Sequence, residues 1–114
     1  MKNTILVLNT GSTSTKLAVY SGLTKEIQAE YVHDKQFLSA YPYVADQLPM
    51  RRALAEEFTG AKAAPFAPFA AIVARGGILP PIKSGGYVIN AAMTDYLLNV
   101  CQEEHASNLA ACIA

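Results

Sequence analysis

The sequence has no excess of charge, few cysteines and no long apolar run, and each shortage excludes a class of protein. Nine basic and nine acidic residues give a formal net charge of zero, which excludes a generally basic nucleic-acid binder and an acidic tail protein. The longest uncharged apolar stretch, residues 63–74, is interrupted by Pro65 and Pro68 and is too short to span a bilayer. The sequence also contains no N-x-Ser/Thr glycosylation site.

The two cysteines, Cys101 and Cys112, are too few for a disulfide framework or a zinc site. They are typical of structural thiols in a reducing compartment, and we expect a cytoplasmic protein. The apolar share of the 114 residues is 52%, which is ample for one buried core and excludes intrinsic disorder. Residues 105–114 open a helix that has no stop signal, which predicts a piece of a longer protein; the alternative is a natural end with a short frayed helix.

Three strands with short connections are predicted in the first third of the chain. Residues 4–8 form a continuous apolar run typical of a buried strand. Residues 16–20 and 25–32 favour two further strands, the last of them half exposed. Short connections make these an antiparallel meander. We expect His33, at the end of the third strand, to lie at the surface.

A helix is predicted over residues 49–60, from a proline suited to the first helical position to a glycine suited to the stop. Its apolar stripe recurs every four residues and consists of Met50, Leu54 and Phe58. Arg52 and Glu56 can pair on the exposed side. Residues 35–48 hold a short helix or a loop, and residues 63–69 are typical of a linker rich in proline and alanine.

The last third of the chain adds a strand and a helix. Residues 70–74 are predicted as a buried strand that runs parallel to the first, because a helix separates it from the meander. Residues 78–86 are predicted as a loop or loose hairpin, residues 87–89 as a short strand, and Asn90 as the cap of a helix that reaches Cys101. This order predicts an α/β mixed sheet, a three-stranded antiparallel meander extended by a parallel strand, as at the start of ribonuclease-H-like, actin-like nucleotide-binding domains.

The strongest local signal is the polar turn that follows the first strand. Asn9 stands at the carboxyl end of that strand, where α/β sheets place ligands. Gly11 lets the backbone bend and is free to adopt a positive φ, so that successive N–H groups can face an anion. Hydroxyl groups and one positive charge come after Gly11, and both suit phosphate oxygens. They belong to Ser12, Thr13, Ser14, Thr15 and Lys16. The alternative is a polar hairpin whose hydroxyls cap their own backbone.

Arg75 gives a second signal, because it follows the apolar strand directly. A guanidinium binds carboxylate or phosphoryl oxygens through two parallel hydrogen bonds. Gly76 and Gly77 leave space for a ligand beside it. The alternative is an arginine that caps carbonyl groups at the end of a strand.

His105 gives a third signal, just before a helix that Ser107 or Asn108 can cap. Its ring can donate a hydrogen bond to a reacting oxygen; the alternative is a structural histidine. Glu103 and Glu104 are adjacent and do not converge as an acid–base pair. No metal-binding motif is present, and we assign no metal ligand.

In this order, the three segments resemble the acetate/butyrate kinase family of the sugar-kinase, chaperone and actin superfamily. The turn at residues 9–16 is similar to the family's first phosphate signature, and Arg75 in VARGG matches its substrate arginine. The segment EHASNL, residues 104–109, resembles butyrate kinases in particular. Thr10 departs from the proline expected in those enzymes.

The resemblance implies a role for each segment. The turn would surround the transferred phosphoryl group of ATP and help to place Mg²⁺ with the nucleotide; its members are Asn9, Gly11, Ser12, Thr13, Ser14 and Lys16. Arg75, beside Gly76 and Gly77, would hold a short-chain carboxylate. His105 would stabilise the phosphoryl oxygens in the transition state. The implied reaction converts ATP and butyrate reversibly into ADP and butanoyl phosphate.

Members of this family have two domains and are much longer. The resemblance therefore implies that residues 1–114 are part of an N-terminal actin-like domain and that the C-terminal nucleotide-binding domain is absent from this chain. We expect the chain alone to be inactive, and its uncovered faces to favour homodimers or higher oligomers. Two alternatives stay open: a kinase for acetate, propionate or a branched acid, and a non-catalytic actin-like module that binds anions.

Overall fold

The computed structural model describes residues 4–60, 69–101 and 105–114, and its centre is a four-stranded sheet. The strands are β1 (Thr4–Thr10), β2 (Ser14–Ser21), β3 (Thr24–Val32) and β4 (Ala71–Ala74). Their order across the sheet is β3-β2-β1-β4, with β2 antiparallel to both β1 and β3, and β4 parallel to β1. The predicted mixed sheet, a meander extended by one parallel strand, is thereby confirmed.

The described part of the chain also contains four α-helices. They are α1 (Lys35–Leu38), α2 (Leu48–Thr59), α3 (Ala91–Asp95) and α4 (Asn108–Ile113). A 3₁₀ turn (Val44–Gln47) leads into α2, and a π-helical segment (Tyr96–Val100) continues α3. Each described helix falls short of the length and apolar character that a bilayer span requires.

Two predicted helix signals are confirmed by the backbone. Gly60 ends α2 with a φ of 73°, a left-handed conformation that favours glycine. The Asn90 side chain caps α3 by accepting a hydrogen bond from the amide of Met93 at 2.9 Å. The predicted pair on the exposed side of α2 also forms, with 3.6 Å between Arg52 Nε and a Glu56 carboxylate oxygen.

The core lies between one face of the sheet and two helices. Alternate residues of β1 and β2 face it because strand side chains alternate between the two faces. Helices α2 and α4 cover that face. The core residues are Leu6, Leu8, Leu17, Val19, Ala55, Ala110 and Ile113.

Several predicted boundaries differ from the structure. Strand β1 extends to Thr10 and β2 begins at Ser14, so the polar turn is only three residues long. Residues 87–89 form no strand, and residues 63–68 of the predicted linker lie outside the described residues. Strand β4 is not buried as expected, because it is the last strand of the described sheet and Ala71 and Val73 are exposed on the face opposite the core. In α2, the apolar stripe is only half buried, while Arg51 and Ala55, one residue further along, are fully buried. The helix is rotated in this way because Arg51 reaches the polar turn.

Candidate active site

The ends of β1 and β4 bring Asn9 and Arg75 to the same edge of the sheet. The two strands are parallel, and Leu8 pairs with Ala74 in their register. The amide of Arg75 donates to the carbonyl oxygen of Leu8 over 2.9 Å, which continues the ladder one residue beyond β4. Asn9 and Arg75 are therefore neighbours at the carboxyl ends of two parallel strands, the edge at which α/β sheets bind ligands.

A buried hydrogen bond ties the segment that contains His105 to this edge. Thr10 is the last residue of β1 and is 2% exposed. Its Oγ1 donates to the carbonyl oxygen of Ala106 over 2.6 Å. Since Ala106 adjoins His105, all three segments singled out in the sequence meet near the end of β1.

The ring of His105 is held by the residues that follow it. The amide of Ser107 donates to His105 Nδ1 at 3.0 Å, and the Ser107 hydroxyl lies 2.8 Å from the same nitrogen. A nitrogen that accepts an N–H bears no proton, so the proton of the ring is on Nε2. His105 is exposed, and its Nε2–H is a donor suited to an oxyanion.

The predicted capping of α4 by Ser107 or Asn108 is wrong. Ser107 makes no capping hydrogen bond with its side chain, because its hydroxyl is turned toward His105. Asn108 is 4% exposed, and its Oδ1 accepts from the amide of Ile78 at 2.7 Å. Asn108 thus fastens the loop after Arg75 to the start of α4.

The polar turn presents hydroxyls that the protein does not use. Its backbone closes through a 2.8 Å hydrogen bond from the Gly11 amide to the Ser14 carbonyl. Across residues 4–60, 69–101 and 105–114, the hydroxyls of Ser12, Thr13 and Ser14 make no hydrogen bond to the protein. The alternative prediction, a polar hairpin whose hydroxyls cap their own backbone, is therefore wrong. Gly11 does not have the positive φ that we expected; a Cβ there would lie 3.1 Å from Ser14 Oγ.

The loop after β4 has room for a ligand beside one of its two glycines. A Cβ at Gly76 would meet no atom within 4 Å. A Cβ at Gly77 would lie 2.7 Å from Asn108 Cα and 3.0 Å from Leu97 Cδ2. Gly77 is thus required by packing against α4. The side chain of Arg75 is exposed.

The candidate residues line different cavities at this edge. Asn9 and Lys16 line one of about 300 Å³ on the sheet face opposite the core. Lys16 Nζ lies 4.0 Å from a carboxylate oxygen of Glu30, and both side chains are half exposed. His105 lines a second cavity of about 470 Å³ with Asn108. The strands bring the three segments together, but in the described residues their side chains do not share one closed pocket.

A buried polar cluster lies beneath the turn, between β2 and α2. Arg51 is 0% exposed and spans the gap. Its Nη1 donates to the Ser14 carbonyl at 2.8 Å and to Thr15 Oγ1 at 3.3 Å, and its Nη2 lies 3.4 Å from the Ser12 carbonyl oxygen. Burial lowers the pKa of Arg51 from its usual value, but an arginine remains protonated in proteins. Sequence reasoning missed this residue.

The expectation that His33 lies at the surface is wrong. His33 is 9% exposed, and its Nε2 lies 2.9 Å from Thr15 Oγ1. Because Arg51 donates to that hydroxyl, the hydroxyl proton is free to point at Nε2, which then accepts it. Burial, followed by the positive charge of Arg51, lowers the pKa of His33. His33 is therefore a neutral member of the cluster.

Of the two cysteines, Cys101 lines the cavity of His105, and Cys112 does not. Cys112 is half buried, its Sγ lies 3.5 Å from the Asn108 carbonyl oxygen, and burial raises the pKa of its thiol. Within the described residues, no group of three or more His, Cys, Asp and Glu residues could hold a metal ion.

The comparisons with known proteins give similarity across almost the whole chain. It is 42% identical over 109 residues to a protein of Thermotoga maritima called probable butyrate kinase 1, a match that covers 96% of this chain and 30% of that protein. It is 43% identical over 110 residues to a probable butyrate kinase of Bacteroides thetaiotaomicron, covering 96% of this chain and 31% of the relative. No family model matches the chain.

A third relative, the probable butyrate kinase of Thermotoga petrophila, is 41% identical over 110 residues. The chain spans about 30% of the length of these curated relatives. The similarity runs through the turn after β1, through Arg75 and toward the segment of His105, because it covers 96% of the chain. The chain is therefore homologous, over almost its whole length, to part of each of these probable butyrate kinases.

Proposed function

We propose that the protein containing this chain transfers the γ-phosphoryl group of ATP reversibly to butyrate. One observation carries the proposal: a turn with unused hydroxyl groups lies beside a strand end that carries an exposed guanidinium. Hydroxyl and amide donors suit the phosphoryl group, and the guanidinium suits a carboxylate. The names of the relatives, all probable butyrate kinases, supply the acceptor.

The turn would hold the terminal phosphate of the nucleotide. Asn9, Ser12 and Ser14 would surround the transferred group, and Lys16 would add positive charge after its displacement from Glu30. Gly11 and Thr13 complete the same turn. Phosphoryl transfer depends on positioning and on stabilisation of charge, and these groups provide both.

Arg75 would hold the carboxylate of the acceptor through two parallel hydrogen bonds, and the open space beside Gly76 would admit it. One carboxylate oxygen attacks the γ-phosphorus, the bond from phosphorus to the bridging oxygen breaks, and ADP leaves with that electron pair. The acceptor needs no general base, because a carboxyl group of ordinary pKa near 4 is already ionised at neutral pH. Gly77 contributes by letting the loop approach α4.

His105 would act on the phosphoryl oxygens. The proton on Nε2 gives it one hydrogen bond to donate to oxygen atoms that gain charge in the transition state. The hydrogen bond from Thr10 to Ala106 keeps this segment at the end of β1. His105 and Arg75 are the two residues that we assign to catalysis.

Mg²⁺ would arrive with the nucleotide. The hydroxyl oxygens of Ser12 and Ser14 are hard ligands of the kind that Mg²⁺ accepts directly or through water. When bound, the ion neutralises charge on the phosphate groups. The described residues contain no group of three or more His, Cys, Asp and Glu that could hold a metal ion, and further ligands would come from the rest of the protein.

The chain alone would lack activity, because the adenosine half of the nucleotide must be clamped at the same time as the acceptor. The remainder of the protein would supply that second surface as a C-terminal domain. We also propose a homodimer or higher oligomer, and a location in the cytoplasm, where ATP is available.

The experiment is a coupled assay of ADP release by the full-length protein, with Mg·ATP and straight-chain acids of one to six carbons. We expect turnover that depends on the acid and is fastest with butyrate, and no turnover by the 114-residue chain. A maximum with acetate or propionate would change the assigned acceptor. Absence of any acid-dependent ADP release from a folded, full-length protein would contradict the proposed reaction and favour an anion-binding module.

A further inference from the structure

Arg51 carries a charge that the described part of the chain does not neutralise. Its guanidinium is completely buried. Among the described residues, no carboxylate lies within 4 Å of it. Its partners are neutral oxygens: the side chain of Gln47, the hydroxyl of Thr15 and the carbonyls of Ser12 and Ser14. A buried cation without an anionic partner is costly, which points to a function that requires it.

The hydrogen bonds of Arg51 orient the backbone of the turn. A trans peptide group points its C=O and its N–H in opposite directions. Because the carbonyl of Ser12 faces Arg51, the amide N–H of Thr13 faces away from the buried side. Within the described residues, that N–H has no acceptor. The arginine thus turns a backbone donor of the loop away from the guanidinium and leaves it available to an anion.

The positive charge of Arg51 also favours an anion at the turn. A cation in a region of low dielectric constant produces a positive potential that water screens only weakly. The turn lies directly over the guanidinium, since Arg51 contacts the carbonyl of Ser12 in the turn and that of Ser14 at the start of β2. An anion bound to the outer side of the turn would experience this potential without touching the arginine.

We propose that Arg51 is a positioning residue for the terminal phosphate of the nucleotide: it fixes the turn from beneath and supplies positive potential to it. This inference rests on the proposed function, because it takes the turn to be the phosphate site. Thr15 and His33 complete the support, since the Thr15 hydroxyl accepts from Arg51 and lies 2.9 Å from His33 Nε2. Lysine cannot replace the fork of donors that reaches several oxygens at once.

Two variants separate the two contributions. Arg51→Lys keeps a charge but loses the fork. Gln47→Glu keeps the oxygen that accepts from Arg51 Nε at 3.1 Å and places a negative charge beside the guanidinium. It should raise thermal stability, because the buried cation gains a partner, and yet weaken binding of the nucleotide. Arg52→Gln is the matched control, since Arg52 neighbours Arg51 but is exposed on α2.

The readouts are KM for Mg·ATP, KM for butyrate and thermal unfolding, all on the full-length protein. We expect Arg51→Lys and Gln47→Glu each to raise KM for Mg·ATP at least fivefold while KM for butyrate stays within twofold, and Arg52→Gln to change neither. A role limited to folding would lower the amount of active enzyme and leave both KM values unchanged. A rise in KM for Mg·ATP in either variant supports the proposal.

Ser12→Ala tells the two proposals apart. If Ser12→Ala raises KM for Mg·ATP but both Arg51→Lys and Gln47→Glu leave it unchanged, the turn binds phosphate and the positioning role of Arg51 is wrong. If Ser12→Ala and both other variants leave it unchanged, the phosphate site itself is wrong. Should Arg51→Lys fail to fold, Gln47→Glu decides whether the positive potential of Arg51 acts on the nucleotide, because it retains every hydrogen bond of the arginine, and an unchanged KM for Mg·ATP would contradict that part of the proposal.

Discussion

Thr10 Oγ1 donates a 2.6 Å hydrogen bond to the carbonyl oxygen of Ala106, which lies 96 positions further along the chain. Both residues are almost completely buried. The bond joins the last residue of the first strand to the segment that carries His105. It therefore connects the folding of the sheet with the position of a residue that we assign to catalysis.

Removing that bond should lower stability. We predict that Thr10→Val, which keeps the shape of the side chain, lowers the free energy of unfolding by about 1–2 kcal/mol, because the Ala106 carbonyl is left buried without this donor. Denaturant unfolding monitored by circular dichroism measures it. Thr94→Val is the matched control, since Thr94 Oγ1 donates to the carbonyl of Ala91, three residues earlier in the chain. Equal effects of the two substitutions would contradict the connecting role of Thr10.

The two glycines after Arg75 should respond differently to the same substitution. We predict that Gly77→Ala lowers the free energy of unfolding by about 2 kcal/mol, because its Cβ would lie 2.7 Å from Asn108 Cα. Gly76→Ala should change it by less than about 0.5 kcal/mol, since nothing lies within 4 Å of that Cβ. Thermal unfolding of the two variants provides the comparison, and a larger loss at Gly76 would show that the loop packs otherwise.

Buried His33 should make stability depend on pH. Its pKa is lower in the folded than in the unfolded chain, so between the lowered pKa and the usual value of about 6.5 the unfolded chain binds more protons. The free energy of unfolding therefore falls as the pH drops through this window, by at most about 1.4 kcal/mol per pH unit. At pH values above this window, His33 is neutral in both the folded and the unfolded chain and does not lower the free energy of unfolding.

The measurement is denaturant unfolding of the wild type, His33→Gln and His105→Gln at a series of pH values from about 7.5 to about 5.5. We expect His33→Gln to flatten the decline. His105→Gln retains His33 and should show the same decline in the free energy of unfolding as the wild type. A decline that is equally steep in His33→Gln and in the wild type would assign the pH dependence to other groups.

The sheet could be predicted because its strands are encoded locally. Residues 5–8 are apolar throughout, and the helix at residues 49–60 separates them from the parallel strand. The ends of the strands were missed, since Thr10 and Ser14 are strand residues through their pairing and not through their side chains. Residues 87–89 have strand-forming side chains but form no strand in the described part of the chain.

The buried polar cluster beneath the turn could not be predicted, because burial of His33 and Arg51 depends on contacts between distant segments. Both residues are polar, and polar residues are usually exposed. One signal was present: Gln47, Arg51 and Ala55 recur at intervals of four residues and share one face of a helix. That face is the buried one. The turn and Arg75 could be singled out as candidates from the sequence because their polar side chains follow strand ends directly, and their roles stay predictions.

The most direct test of the central claim, that the turn holds phosphate and Arg75 holds the acceptor, is a comparison of KM values for Ser12→Ala and Arg75→Ala in the full-length enzyme. Loss of the charged hydrogen bonds of Arg75 should raise KM for butyrate by about 30-fold or more and leave KM for Mg·ATP nearly unchanged. Ser12→Ala should raise KM for Mg·ATP and leave KM for butyrate nearly unchanged. If Arg75→Ala leaves KM for butyrate unchanged, or if both variants raise the same KM, the assignment of the two strand ends to two substrates is contradicted.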